Sequence, residues 1–196
     1  MIQVNNVSFH YRKNQSLIKH LDLELNKGSI YGLLGLNGSG KTTLLKLMTG
    51  MLFPQEGEVT LSNLNVKSRT PNLNSRLFFI PDVLQLPPIK GRSFIRDYSV
   101  FYPKFDQEAM GLGLELFNVS ANSNLKDLSH GAKKKFLIAF ALATNTEYLI
   151  MDEPTNGLDI PSKSSFRKLL ASSISDEKLF LISSHQINDL NNIIDP

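Results

Sequence analysis

Gly35-Leu36-Asn37-Gly38-Ser39-Gly40-Lys41-Thr42 decides how the rest of this chain is read. The segment fits G-x-x-x-x-G-K-[ST], a pattern that background composition produces in about one per cent of chains of this size. Its surroundings fit as well. Ser29-Ile30-Tyr31-Gly32-Leu33-Leu34 reads as a strand. Lys41 to Thr49 reads as a helix with Leu44, Leu45, Leu47 and Met48 on its buried side and Gly50 as its stop. A glycine-rich loop between a strand and a helix is a phosphate cradle. Its glycines let backbone N–H groups converge into an anion nest, and the helix N-terminus adds partial positive charge. Lys41 is placed to reach the β- and γ-phosphates of a nucleotide, and the Thr42 hydroxyl to ligate Mg2+.

Working outward, Leu21-Asp22-Leu23-Glu24-Leu25 alternates as a half-buried strand does, and Asn26-Lys27-Gly28 turns the chain. Three later runs are apolar throughout: Leu77-Phe78-Phe79-Ile80, Tyr148-Leu149-Ile150-Met151 and Leu179-Phe180-Leu181-Ile182. Such runs fit strands buried on both faces of a parallel sheet. A helical pattern with Phe166, Leu169 and Leu170 on one face separates the last two, and this alternation marks an α/β fold. From about Pro87 to Leu128 the texture changes, with Pro87, Pro88, Gly91, Pro103, Gly111 and Gly113 punctuating short helical segments. Phe94, Tyr98 and Phe101 lie at helical spacing, as do Met110, Leu114 and Phe117; the expectation is that they pack the core of a small lobe. The predicted architecture is one domain over 1–196. It has an α/β phosphate-loop core with a mainly parallel sheet, an N-terminal antiparallel β portion and a helical lobe inserted over about 87–135.

Apolar residues make up 41% and charged residues 20% of the chain, ordinary values for a globular protein. A net charge of +3, from 21 basic and 18 acidic residues, is too small an excess to point to nucleic acid. Lys133-Lys134-Lys135 reads as a solvated helix face. The absence of cysteine excludes disulfides, thiolate zinc sites and thiol catalysis. Met1 to Asn6 lacks a basic stretch leading into an apolar one, so no secretory signal is expected. No window approaches ~18 consecutive apolar residues, so a membrane role would need another chain as anchor.

Tyr148-Leu149-Ile150-Met151-Asp152-Glu153 ends an apolar strand in two carboxylates. That places them at the C-terminal edge of the sheet, where open α/β sheets bind ligands. Asp152 is the candidate for the Mg2+ shell and Glu153 for polarising an attacking water. Two acids after a strand also serve as helix caps; the phosphate loop in the same chain favours the catalytic reading.

The order of these motifs resembles that of ATP-binding cassette ATPases, and the resemblance runs over nearly the whole chain. Leu128-Ser129-His130-Gly131-Ala132 sits where that family has its Leu-Ser-Gly-Gly-Gln signature. Asp152-Glu153-Pro154-Thr155 is similar to the Walker B extension, and Asn156-Gly157-Leu158-Asp159 to the D-loop. Ser184-His185 is similar to the segment with the switch histidine. Tyr11 resembles the aromatic that stacks on adenine, the alternative being an ordinary strand aromatic. For His185 the alternatives are contact with the γ-phosphate and a capping or core role. The resemblance implies ATP and Mg2+ as cofactors. Tyr11, Gly35, Leu36, Asn37, Gly38, Ser39, Gly40, Lys41, Thr42 and Thr43 would contact the nucleotide. Lys41, Glu153 and His185 would act in hydrolysis, and Thr42, Asp152 and Asp82 would attend the metal.

It further implies a two-fold dimer, with Ser129 and Gly131 facing the γ-phosphate held by the opposite subunit. A separate transmembrane permease would hold the pair at the cytoplasmic face of a membrane, and no nucleic acid is expected as partner. Two other readings share the fold: a soluble ATPase acting in translation or DNA repair, and a regulatory module with little turnover. A single cassette without a heptad run or a basic tail argues against the first. The altered signature and Asp82 leave the second open, but Lys41, Asp152, Glu153 and His185 are all present.

The chain departs from the family pattern in three places. His130 replaces the first signature glycine, and Ala132 the glutamine. Where the family usually has Gln after the third strand, Phe79-Ile80-Pro81-Asp82 places an aspartate, with Gln85 nearby as a substitute. Asp82 has two readings: a carboxylate at the edge of the site that reaches Mg2+ through water, or an exposed turn residue after Pro81. A helix is expected over Ile187–Ile194, beyond which relatives often continue with two more strands.

Overall fold

Alternation in the N-terminal part of the chain builds an antiparallel sheet. β1 (Ile2–Arg12) sends Ile2, Val4, Val7 and Phe9 inward and pairs with β2 (Gln15–Leu25). β3 (Ser29–Leu34) then leads through the phosphate loop into α1 (Lys41–Met48). β4 (Glu56–Leu61) and the short β5 (Leu64–Asn65) return to the first sheet, which runs β2-β1-β4-β5 with every neighbour antiparallel. The chain continues through α2 (Pro71–Asn74), β6 (Leu77–Ile80), α3 (Gly91–Ser99), α4 (Gln107–Leu116) and α5 (His130–Ala143). β7 (Tyr148–Asp152), α6 (Ile160–Ser173) and β8 (Leu179–Ser184) follow. This computed structural model describes residues 1–13 and 15–187; the helix expected over Ile187–Ile194 falls, beyond its first residue, outside them.

The second sheet is parallel, in the order β3-β8-β7-β6. β7 and β8 are buried along their whole length, because each has a strand on both sides and a packed layer on both faces. The period of two divides their side chains. Tyr148, Ile150, Leu179 and Leu181 pack with Leu45, Leu47 and Met48 of α1 and with the antiparallel sheet. Leu149, Met151, Phe180 and Ile182 pack with Phe136, Phe140, Phe166 and Leu170 of α5 and α6. The expectation of burial on both faces fails for β6. It is the edge strand, and Leu77, Phe78 and Phe79 are only half-buried while Ile80 is covered.

Parallel pairing brings the C-terminal ends of the strands to one edge. Leu34 pairs with Ser184, and Asp152 with Ser183. The phosphate loop, the two carboxylates and His185 therefore emerge side by side.

The helical segment holds α3, α4 and the start of α5. Met110 and Phe117 are buried, and Phe94 packs edge-on to Phe136 and Phe140. The expectation that all the aromatics at helical spacing pack inward fails for two of them. Tyr98 stacks on Phe94 with ring centroids 4.2 Å apart, yet it stays 40% exposed and Phe101 63%. Spacing places these residues on one face, but no described element covers the outer part of that face.

Candidate functional site

Backbone geometry accounts for the loop glycines. Gly38 and Gly40 have φ of +80° and +99°, where a side chain would be strained. Gly40 caps α1, so Lys41 opens the helix. The Lys41 ammonium folds back on the loop, donating to Gly35 O at 2.7 Å and Leu36 O at 3.2 Å. It also lies 3.5 Å from Glu153 Oε1. The Thr42 hydroxyl donates to Asp152 Oδ2 at 2.6 Å.

Asp152 is buried, and its second oxygen accepts from Ser183 Oγ at 2.6 Å. The Ser183 hydroxyl oxygen in turn accepts from the Glu153 N–H at 3.0 Å. One hydroxyl on β8 thus satisfies part of a buried charge and fixes the peptide that leads into the second acid.

Glu153 has φ of +48°, a left-handed conformation that costs a non-glycine residue on the order of 1–3 kcal/mol. The surroundings impose it from both sides: Ser183 holds the N–H, and Lys134 Nζ donates to the carbonyl at 2.7 Å. The carboxylate is thereby aimed. Its Oε2 lies 2.9 Å from His185 Nδ1, within hydrogen-bond distance. Its Oε1 is buried without a hydrogen bond. An oriented carboxylate with one oxygen not engaged in a hydrogen bond is what a general base needs.

A cavity of about 380 Å³ opens among these groups. Tyr11, Leu17, Asn37, Gly38 and Gly40 wall one part, and Lys41, Thr42, Thr43, Asp82, Asp152 and Glu153 the rest. The Tyr11 and Thr43 hydroxyls share a hydrogen bond of 3.1 Å, with the Tyr11 ring edge-on to Phe9. Gly35, Leu36 and Ser39 belong to the loop but do not wall the cavity, and His185 meets it through Glu153. Ser129 and Gly131 lie apart. Ser129 Oγ caps α5 by accepting from the Ala132 N–H, and Gly131 packs so closely on the Gly157 turn that a Cβ would sit 2.8 Å from Gly157 O.

The solvated-face expectation fails for Lys134. Successive helix positions are rotated by about 100°, so three lysines in a row cannot share one face. Lys134 is 0% exposed and donates to Asp82 Oδ1 at 3.2 Å as well as to the Glu153 carbonyl. Lys135 pairs with Asp159 at 3.0 Å. Asp82 is therefore more than an exposed turn residue: it walls the cavity and holds a buried cation. Gln85 lines a different space, an apolar cleft of about 940 Å³ bounded by Pro81, Leu84, Phe94, Tyr98 and Phe101.

Sequence reasoning missed Leu17, Lys134 and Ser183. For Ser183 a signal existed. β8 runs two residues past Ile182, and the register opposite Asp152 follows once the strand order is known.

Residues 18–156 match the family model described as ABC transporter. The chain is 27% identical over 194 residues to the ABC transporter ATP-binding protein YtrB of Bacillus subtilis (strain 168), covering 97% of this chain and 65% of that one. It is 30% identical over 210 residues to the zinc uptake system ATP-binding protein ZurA of Listeria innocua, covering 99% of this chain and 80% of that one. A solved dimeric ATP-binding cassette in a post-hydrolysis state, bound to ADP and Pi, shares the fold. Its TM-score is 0.83 at 23% identity, over 96% of this chain and 91% of that one. The family match takes in both the phosphate loop and the Asp152–Glu153 turn, and the chain belongs to the ABC transporter family.

Proposed function

We propose that this chain binds ATP with Mg2+ and hydrolyses it as the nucleotide-binding subunit of a transporter. In this reading it dimerises on ATP and drives a separate membrane permease. One observation carries the proposal: around a single cavity Thr42 is bonded to Asp152, Lys41 sits 3.5 Å from Glu153, and Glu153 is held by His185.

The donor set suits the metal. A hydroxyl and a carboxylate 2.6 Å apart on the cavity wall are hard oxygen ligands, and Mg2+ takes one or two carboxylates and leaves the rest of its shell to water and phosphate. Thr42 and Asp152 would hold the ion, which supplies positive charge against the γ-phosphate. Asp82 would reach it through water, with the oxygen that Lys134 does not hold. Lys41 would pass its donors from the Gly35 and Leu36 carbonyls to the phosphate oxygens. Glu153 would orient a water and take its proton as the water oxygen attacks the γ-phosphorus and the bond to the β-phosphate oxygen breaks. His185 keeps the carboxylate aimed and would meet the γ-phosphate. Tyr11 offers a ring for the adenine face.

The Ser129–Gly131 segment stands outside the cavity, so its contact with nucleotide needs a second subunit, whose ATP it would meet with the N-terminus of α5. The solved neighbour is a dimer, which supports this arrangement. No helix among the described residues is long and apolar enough to cross a membrane; the proposal assigns that part to the permease, with this chain on the cytoplasmic face. The loop after β6 gives the two a link. Its Asp82 walls the nucleotide cavity, while its Pro81 and Leu84 line the apolar cleft where an apolar permease segment would rest on Tyr98 and Phe101.

Glu153→Gln tests the catalytic assignment. The amide cannot take the proton, so phosphate release should fall by about a hundredfold or more. Titration with a fluorescent ATP analogue should show binding preserved. Full turnover by this variant would end the assignment.

A further inference from the structure

Lys134 is 0% exposed, an aliphatic stem and an ammonium group enclosed in the protein. A buried cation is tolerated only when its charge is paired and its protons are accepted. Two groups from different elements do this: Asp82 Oδ1 in the loop after β6, at 3.2 Å, and the Glu153 carbonyl in the turn after β7, at 2.7 Å. Both residues wall the nucleotide cavity.

Each contact has a distinct consequence. An unpaired Asp82 carboxylate on this wall would repel a polyphosphate; the ammonium offsets that charge. The second contact concerns the backbone. Glu153 is in the left-handed region at φ +48°, and three hydrogen bonds flank it: Ser183 takes the N–H, while Lys134 Nζ at 2.7 Å and the Asn156 N–H at 3.2 Å donate to the carbonyl. Without Lys134 the carbonyl would keep only the longer bond from Asn156, the peptide could shift, and the carboxylate would leave its line with Lys41 and His185.

We propose that Lys134 is a positioning residue with two separable roles at the ATP site, offsetting Asp82 for nucleotide binding and holding the Glu153 carbonyl for hydrolysis. The proposal rests on the ATPase reading. A merely structural lysine would change binding, turnover and melting temperature together; two separable roles would not.

The test uses the whole chain in four forms: parent, K134M, the double variant D82N/K134M, and E153Q as the inactive reference. K134M leaves Asp82 unpaired, so it should bind ATP about tenfold more weakly. It should also turn over at least about tenfold more slowly, because the base is misaligned. D82N/K134M removes both charges and should melt close to the parent. It should recover ATP affinity to within about twofold of the parent, while turnover stays about tenfold low. Equal ATP affinity in K134M and the double variant would overturn the charge role. Parental turnover in the double variant would overturn the positioning role. If both variants are unfolded at the assay temperature, Lys134 is structural and the proposal fails. A parent no faster than E153Q would instead refute the ATPase reading itself.

Discussion

Ser183→Ala should damage stability and metal use together, because one hydroxyl serves both Asp152 at the end of β7 and Glu153 in the turn after it. Ser183 Oγ donates to buried Asp152 at 2.6 Å and accepts from the buried Glu153 N–H at 3.0 Å. A hydrogen bond to a charged group contributes about 1.5–3 kcal/mol, and a buried N–H left without an acceptor costs about 1–3 kcal/mol. Alanine preserves the packing, so these two terms dominate. Partial relaxation brings their sum to about 3 kcal/mol. For a chain of this size that corresponds to a melting temperature lower by about 6–12 °C. At the site, Asp152 keeps its bond from Thr42 but loses its second donor, and the Glu153 turn loses its hold on the N–H side. Half-saturation by Mg2+ should therefore rise, and maximal turnover should fall by about tenfold. Calorimetry on the purified chain and phosphate release titrated with Mg2+ read the two effects separately. A melting temperature within about 1 °C of the parent, together with unchanged Mg2+ dependence, would refute the idea that this hydroxyl organises the acids.

Two further outcomes are expected. Glu147 accepts from Arg76 Nε at 2.8 Å, Arg76 Nη2 at 2.7 Å and Lys27 Nζ at 2.7 Å. Burial pushes its carboxyl up, but these donors outweigh burial and hold it at about 2, against an ordinary 4.5. Because the folded value is depressed, the contribution to stability is complete above pH 4.5 and is lost as the pH falls toward 2. After allowance for partial exposure it amounts to about 1–2 kcal/mol. Denaturant melts of Glu147→Gln should lie below the parent by that amount at pH 7 and converge with it in acid; a constant gap across this range would count against the pairing. Tyr11→Ala should weaken ATP binding by about tenfold through loss of base stacking, while Tyr11→Phe stays within about twofold. Equal losses in the two variants, measured by titration with a fluorescent analogue, would move the effect from the ring to the hydroxyl bonded to Thr43.

Chemistry carried by contiguous residues was legible without coordinates. Gly35 to Thr42 contains its own explanation, because a nest, a helix N-terminus and a lysine are all built from one short segment. The runs at Tyr148–Met151 and Leu179–Ile182 likewise announced buried parallel strands, since a strand covered on both faces is apolar at nearly every position. What remained hidden depends on partners distant in the chain. Asp82 and Lys134 are 52 positions apart, and Ser183 and Asp152 31. Composition alone made Lys134 resemble the half-buried lysines on either side of it. Leu77–Ile80 looked the same as the central strands, and only the order β3-β8-β7-β6 makes it an edge. The spacing of Phe94, Tyr98 and Phe101 told which residues share a face but not how far that face is covered. Local patterns decide which elements form, because propensity and periodicity act over a few residues. The parallel register decides which side chains meet at the sheet edge and so makes Ser183 part of the site, while the packing of α5 brings Lys134 to Asp82 and Glu153.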